Sequence, residues 1–404
     1  MSSFAFGTYR VTDQNPLHIQ ALKEALYGGI KLIDTSANYT DGGAERAIAK
    51  ALGSIEDEYR DVEIVSKFGY IQGSNMLLHK EQPFEEVVEY APECFHSISP
   101  SFMRDQLSRS LERLELLKID CYLLHNPEYF LYDAINKNID YEEGVEELYK
   151  RIYKVFAALE QEVKEGRIGS YGISSNSFSK AEDAKDFLPY EGLINLAKNA
   201  ALEAGNQEHC FTTIELPINL LEQEGLKCAN WAKEQGLRVL ANRPLNAFHE
   251  GLMHRLADYE EPSDYYARLN ELLEVCDTEA LQPLFNLVEQ MDANKHKYGW
   301  IGDYEMFVNS QIIPHIKKAI EKVDKSVIET LLNYIDAFLN SYRGMVAYEC
   351  SRSTRVQLKP YLKGCEKKLQ ECAFEFLQNE PSVDYILVGM RKPSYVAEVL
   401  ALNG

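Results

Sequence analysis

Several things are scarce or absent in this chain of 404 residues, and each absence closes off a class of protein. No run of about 18 apolar residues occurs, which leaves no candidate for a membrane-spanning helix. The opening MSSFAFGTYRVTDQN has neither a charged leader nor a long apolar stretch, so the chain reads as unexported and cytoplasmic. The eight cysteines, at 94, 121, 210, 228, 276, 350, 365 and 372, contain no CxxC pair. They signal neither a zinc site nor a disulfide framework, so no metal is expected and the thiols are expected to be reduced. Positive charge is in deficit: 42 Lys+Arg against 63 Asp+Glu leave a formal net charge of -21. Nucleic acid and anionic membrane are therefore poor partners, and a phosphorylated cofactor would need its own local Arg or Lys cluster.

What is present is a regular alternation of short strands and helices. A strand near Phe4–Thr8 is followed by helical spacing at Ile19, Leu22 and Leu26, and then by a β-branched run at Ile30–Ile33. Further strands are expected at Val62–Val65, Ile119–Leu124, Ser170–Ile173, Thr212–Leu216, Arg238–Ala241 and Tyr385–Val388. Helices are expected at about Ala44–Leu52, Pro100–Leu116, Glu142–Glu165, from about Ser179, at Glu222–Glu234 and at Ser394–Leu402. Eight strands, nearly each with its helix, predict an α/β fold: a (β/α)8 TIM barrel. An open doubly wound sheet is the alternative, but its Gly-rich fingerprint is not visible.

Two stretches interrupt the rhythm. Residues 69–99, after strand 3, are longer than a βα loop requires. After strand 7 a large insertion is helical in pattern, with Ile316, Ile320 and Val323 and then Val327, Leu331, Leu332, Ile335 and Leu339. The expected organisation is 1–247 for the first part of the barrel, 248–365 for an inserted helical subdomain and 366–404 for the last strand and helix. The insertion is a candidate lid or a docking surface for a protein partner.

The polar residues to weigh in a barrel stand just past its strands. KLIDTSANY places Asp34 and Tyr39 after strand 2, EIVSKFGY places Lys67 after strand 3 and CYLLHNPE places His125 after strand 4. A phenol is a weak acid, and a nearby ammonium makes its proton easier to release. Asp34 would keep Lys67 charged, and a neutral His125 would orient a carbonyl oxygen. Each residue alone has a plain reading as a cap, a surface charge or a polar core group. Together they form a complementary proton-donating set, the counterpart a hydride donor needs when it attacks a carbonyl carbon.

The chain resembles the aldo-keto reductase family. Gly7-Thr8-Tyr9, GIKLIDTSANY with GGAERAIAKAL behind it, IVSKFG and CYLLHNP follow the family's blocks in order. The resemblance implies Asp34, Tyr39, Lys67 and His125 as catalytic residues, with Tyr39 as general acid in the reduction of an aldehyde or ketone by NADPH. It also implies cofactor contacts from Gly7, Thr8, Tyr9 and Asp34, and from Ser175 and Asn176 in GRIGSYGISSNSF. Glu215 in ELPINLLE stands where the family usually has Gln, and Asn242 stands where many members have an aromatic residue. Arg243, Pro244 and Leu245 follow in the same block. In PSVDYILVGMRKPSYVAEVL, Gly389, Arg391, Tyr395 and Glu398 match the cofactor strand and helix. Arg391 with Lys392 favours a 2'-phosphate, hence NADPH over NADH. A small-molecule carbonyl is the implied partner. The family also contains barrels that act mainly by binding, so a cofactor-sensing regulatory protein is the alternative function.

Overall fold

The computed structural model describes residues 2–249, 251–321, 323 and 325–402. Eight parallel strands, β1 (Ser3–Gly7), β2 (Leu32–Asp34), β3 (Glu63–Phe68), β4 (Ile119–His125), β5 (Ile168–Ser174), β6 (Phe211–Pro217), β7 (Arg238–Asn242) and β8 (Tyr385–Gly389), form a closed barrel. Each strand pairs with its sequence neighbours, and β1 closes the ring by pairing with both β8 and β2. The barrel is the expected fold.

Local chemistry explains where the helices start. Asn15 caps Pro16–Tyr27 by accepting from the Leu17 amide, Ser99 caps Pro100–Leu114 through Phe102, and Asp140 caps Tyr141–Lys164 through Glu142. Pro16 and Pro100 stand in the first turns, where a missing N–H costs nothing.

Two expectations need correction. The helix from about Ser179 is not formed: only a short 3₁₀ turn spans Ser177–Ser179, and the helix runs from Leu193 to Ala204. Side-chain ties win over helical propensity in between, since Lys180 pairs with Asp186 and the Ser177 hydroxyl accepts from the Leu188 amide at 3.1 Å. Pro189 then bars a helix across that stretch. The second correction concerns the thiols, because Cys365 and Cys372 form a disulfide. Cys372 lies in the first turn of the helix Leu369–Gln378, and the turn preceding that helix brings the two Cα atoms to 6.1 Å, within bridging range although no CxxC motif announces it. The other six cysteines are free.

The long segment after β3 is built rather than loose. It holds a helix, Ser74–Glu81, and a three-stranded antiparallel sheet in which Cys94–His96 pairs with both Tyr70–Ile71 and Val88–Ala91.

The chain divides into two compact units. The first comprises Met1–Ile218, Glu222–Pro244 and Leu377–Gly404, and contains the barrel. The second comprises Asn219–Leu221 and Leu245–Phe376. It opens with an antiparallel pair, Asn246–His249 with Leu252–Arg255, and continues through helices up to the 34-residue Lys325–Leu358. Tyr265, Leu269, Leu331, Ile335, Phe338, Tyr342 and Val346 share its core, and the Tyr342 hydroxyl donates to the Met291 carbonyl at 2.6 Å. Ile316, Leu331 and Ile335 are buried as their spacing predicts, whereas Val327 and Leu332 face outward. Among the described residues, no helix is long and apolar enough to cross a membrane.

Candidate active site

Strand alternation sets the site. Ala5, Leu32, Val65, Cys121, Leu123, Leu240 and Leu387 share one buried cluster in the barrel. Side chains two residues further along a strand point to the same face. Leu32 is thus followed by Asp34, Val65 by Lys67, Leu123 by His125 and Leu240 by Asn242, with Gly7 and Gly389 following Ala5 and Leu387. One apolar layer carries a polar layer directly at its C-terminal end.

Lys67 is fully buried at the centre of that polar layer. Its Nζ is in direct contact with Asp34 Oδ1, donates to the Thr35 carbonyl at 3.1 Å, and lies 3.2 Å from Glu215 Oε2. Asn242 Nδ2 donates to the other Glu215 oxygen, Oε1, at 2.9 Å. Burial alone would pull the ammonium's pKa down, but Asp34 and Glu215 more than offset it, so Lys67 is held well above the ordinary lysine range and stays charged. The Asp34 carboxyl is pushed upward by burial and by Glu215, against the pull of Lys67.

Tyr39 packs with its ring centroid 5.4 Å from Lys67 Nζ and edge-on to the rings of Tyr9, at 5.3 Å, and His125, at 6.0 Å. A more acidic phenol is the sequence expectation, and the balance runs the other way. Burial raises the phenol above its ordinary range and outweighs the lowering by Lys67, while Asp34 and Glu215 raise it further.

His125 is held well below the ordinary imidazole range by burial, Lys67 and His96, and is neutral. Its Nδ1 lies 3.1 Å from the Ser36 hydroxyl. The Ser36 hydroxyl also reaches Asn38 Oδ1 at 2.7 Å, so its one proton is contested between the two acceptors; when Ser36 directs it to Nδ1, Nε2 carries the His125 proton and can donate to a ligand. The His125 carbonyl accepts from His96 Nε2 at 2.7 Å. Burial holds His96 down at about 4, so it is neutral as well. Gly69 makes this contact possible, because a Cβ there would stand 2.4 Å from His96 Nε2 and 2.6 Å from the His125 carbonyl oxygen.

With this geometry in view, the relatives are informative. A model of the Aldo/keto reductase family matches residues 3–403. The chain belongs to this family. A curated relative, the NADH-specific methylglyoxal reductase of Escherichia coli, is 26% identical over 186 residues, which is 46% of this chain and 48% of that protein. The match therefore spans about half the length of that relative. Among solved structures, glycerol dehydrogenase from Gluconobacter oxydans is 17% identical with a TM-score of 0.48, covering 99% of this chain and 86% of its own. An aldo-keto reductase from Bacillus halodurans in its holo form has the same coverages at 16% identity and a TM-score of 0.45.

The other candidate residues divide into two groups. Near the charged cluster, Gly7 pairs in register with Gly389 and Asp34, and the Thr8 hydroxyl donates to the Asp34 carbonyl at 2.9 Å. Tyr9 is 66% exposed. Ser175 is buried against the Ser177 hydroxyl at 2.9 Å, and Asn176 Nδ2 donates to Asn126 Oδ1 at 3.2 Å. Arg243, at a left-handed φ of 53°, reaches Glu222 at 2.5 Å, and Pro244 is buried beside it in sequence. Leu245 falls in the second unit, its carbonyl accepting from the Leu256 amide at 2.9 Å. Gly389, the last residue of β8, has open space around it, and beyond β8 Arg391 is half-buried with His18 nearby, while Tyr395 and Glu398 are exposed. Lys392 lies 5.7 Å from the Tyr395 ring centroid. Ser36, the Thr35 carbonyl, His96 and Tyr70, whose ring meets His125 edge-on at 4.8 Å, are absent from the sequence-level candidates. Only Ser36 had a local signal, a hydroxyl between the two members of the IDTSANY motif.

Proposed function

We propose that this aldo/keto reductase reduces an aldehyde or ketone to the alcohol with NADPH, Tyr39 acting as the general acid. The observation that carries the reading is the buried Lys67–Asp34 pair beside Tyr39, next to a His125 held neutral. The chain also has groups that fit a nicotinamide dinucleotide. Asn242 Oδ1 is a buried acceptor without a partner, suited to a carboxamide NH2. Gly389 leaves room for a phosphate, and Arg391 and Lys392 supply local positive charge in an acidic chain.

When bound, the nicotinamide supplies the hydride that the carbonyl carbon accepts. Everything else falls to the side chains. His125 Nε2–H and the Tyr39 hydroxyl donate to the carbonyl oxygen and polarise it. As that oxygen becomes an alkoxide, far more basic than any phenolate, it takes the Tyr39 proton even though burial makes the phenol reluctant. The Lys67 ammonium stabilises the resulting phenolate, and Asp34 keeps that ammonium charged and in place. NADPH is preferred in this reading because a 2'-phosphate answers Arg391 and Lys392; the Escherichia coli relative is named as NADH-specific, so both dinucleotides belong in the test.

The purified protein is to be assayed with NADPH and NADH against aldehydes and ketones, methylglyoxal included, beside Tyr39→Phe. The expected result is turnover by the parent, reduced about 10²–10⁴-fold in Tyr39→Phe, with dinucleotide binding kept. Binding by both proteins with turnover by neither would instead make the chain a cofactor-sensing binding protein.

A further inference from the structure

The mechanism above uses one carboxylate, Asp34, to hold Lys67. The structure supplies two. Glu215 reaches the same ammonium from β6, with Oε2 at 3.2 Å from Nζ, while Asn242 Nδ2 clamps Oε1 at 2.9 Å. The clamp fixes which oxygen faces the lysine. Glu215 is 2% exposed, and it meets both the Lys67 ammonium, through Oε2, and the Asp34 carboxyl. The ionisable groups around it come from each neighbouring element: Lys67 from β3, Asp34 from β2, Tyr39 from the segment after β2 and His125 from the end of β4.

We propose that Glu215 is a second counter-ion of Lys67, setting how much of the ammonium's field reaches the Tyr39 phenol and thereby tuning proton transfer. It is a positioning residue, acting through Lys67 and Tyr39. An ammonium shared by two carboxylates stabilises a phenolate less than one held by Asp34 alone. Consistently, Glu215 adds to the upward pressure on both Tyr39 and Asp34. This inference rests on the reductase reading for its catalytic consequence and on the ion pair alone for its physical content.

The decisive experiment has two readouts. The first is the pH profile of alcohol oxidation, in which Tyr39 must be ionised and the rate rises with pH. Glu215→Gln keeps the shape and removes the charge, so its rising limb is expected at lower pH than the parent's, by about 1 unit or more. Glu215→Asp keeps the charge and is expected closer to the parent. Superimposable limbs for the parent and Glu215→Gln overturn the tuning role. The second readout is a thermal double-mutant cycle of Glu215→Gln with Lys67→Met, which requires no turnover. Either single change leaves a buried charge with one partner fewer, so the double variant is expected to lose less Tm than the sum of the single losses. Additive losses overturn the pairing. Should the parent reduce no carbonyl, the reductase reading fails by itself, and the cycle alone decides whether Glu215 is a counter-ion of Lys67.

Discussion

The C-terminal ends of β2, β3, β4, β6 and β7 differ sharply from the segment that follows β8, although both carry charges a dinucleotide reductase would use. At the first, Asp34, Lys67 and Glu215 are each under a tenth exposed, and every charge faces another. Beyond β8, Lys392 is exposed, Arg391 is half-buried, and among the described residues neither has an ion-pair partner. In the buried cluster the local dielectric is low, so a charge acts strongly on its neighbours but must be paired to exist. Capturing a phosphate needs only a cation at the surface, where pairing would waste it. The first region should therefore respond to substitution as a unit, and the second residue by residue.

The strongest break of this contrast is Lys67→Met. It leaves two buried carboxylates facing each other, so it is expected to cost about 3–5 kcal/mol of stability in denaturant unfolding, with turnover reduced about 10³-fold or more. A variant as stable as the parent would show that the cluster is not a unit. Arg391→Ala comes next. It is expected to weaken NADPH about 10- to 100-fold by titration, the loss of one charge-assisted contact, while NADH affinity and Tm stay near the parent's. Equal weakening of both dinucleotides would remove the 2'-phosphate from the account.

The smallest effects test the frame around the first region. Burial depresses His96 from 6.5 to about 4, so the folded state binds fewer protons than the unfolded one. Its stability contribution is complete above about 6.5 and is lost as pH falls through about 4. Glu128, fully buried and accepting from the Asn176 amide, is pushed up from 4.5 to about 7 by burial. Its contribution runs in the opposite sense, greatest below about 4.5 and lost as pH rises through about 7. Tm measured against pH should therefore flatten on the acid side in His96→Gln and towards neutral pH in Glu128→Gln, each by about 2 °C per kcal/mol. Flattening on the same side in both would refute the assignment.

Much of the fold was legible because strand and helix signals are local. The IDTSANY, VSKFG and LLHNP strings put polar residues at strand ends, and the period-two alternation from Leu32, Val65 and Leu123 carries Asp34, Lys67 and His125 to one face. The failures have a common cause. The missing helix after Ser179 gave way to ties between side chains several residues apart, Lys180 with Asp186 and Ser177 with Leu188. The Cys365–Cys372 bridge depended on a turn that no spacing motif marks. Ser36 and His96 act on His125 across 89 and 29 residues of sequence, a distance over which composition and periodicity carry no information.

The sequence by itself determined the alternating architecture and the four polar residues just past their strands, which follow from neighbours within a few positions, and the acidity of the whole chain, which is a sum over its residues. Only the tertiary structure decided the balance of charge among those residues. A residue's pKa is set by what surrounds it in space, and it is barrel closure that brings Glu215 from β6 onto a lysine from β3 and Asn242 from β7 onto Glu215. A phenol expected to be acidified by one cation is, once buried with two carboxylates nearby, shifted in the opposite direction.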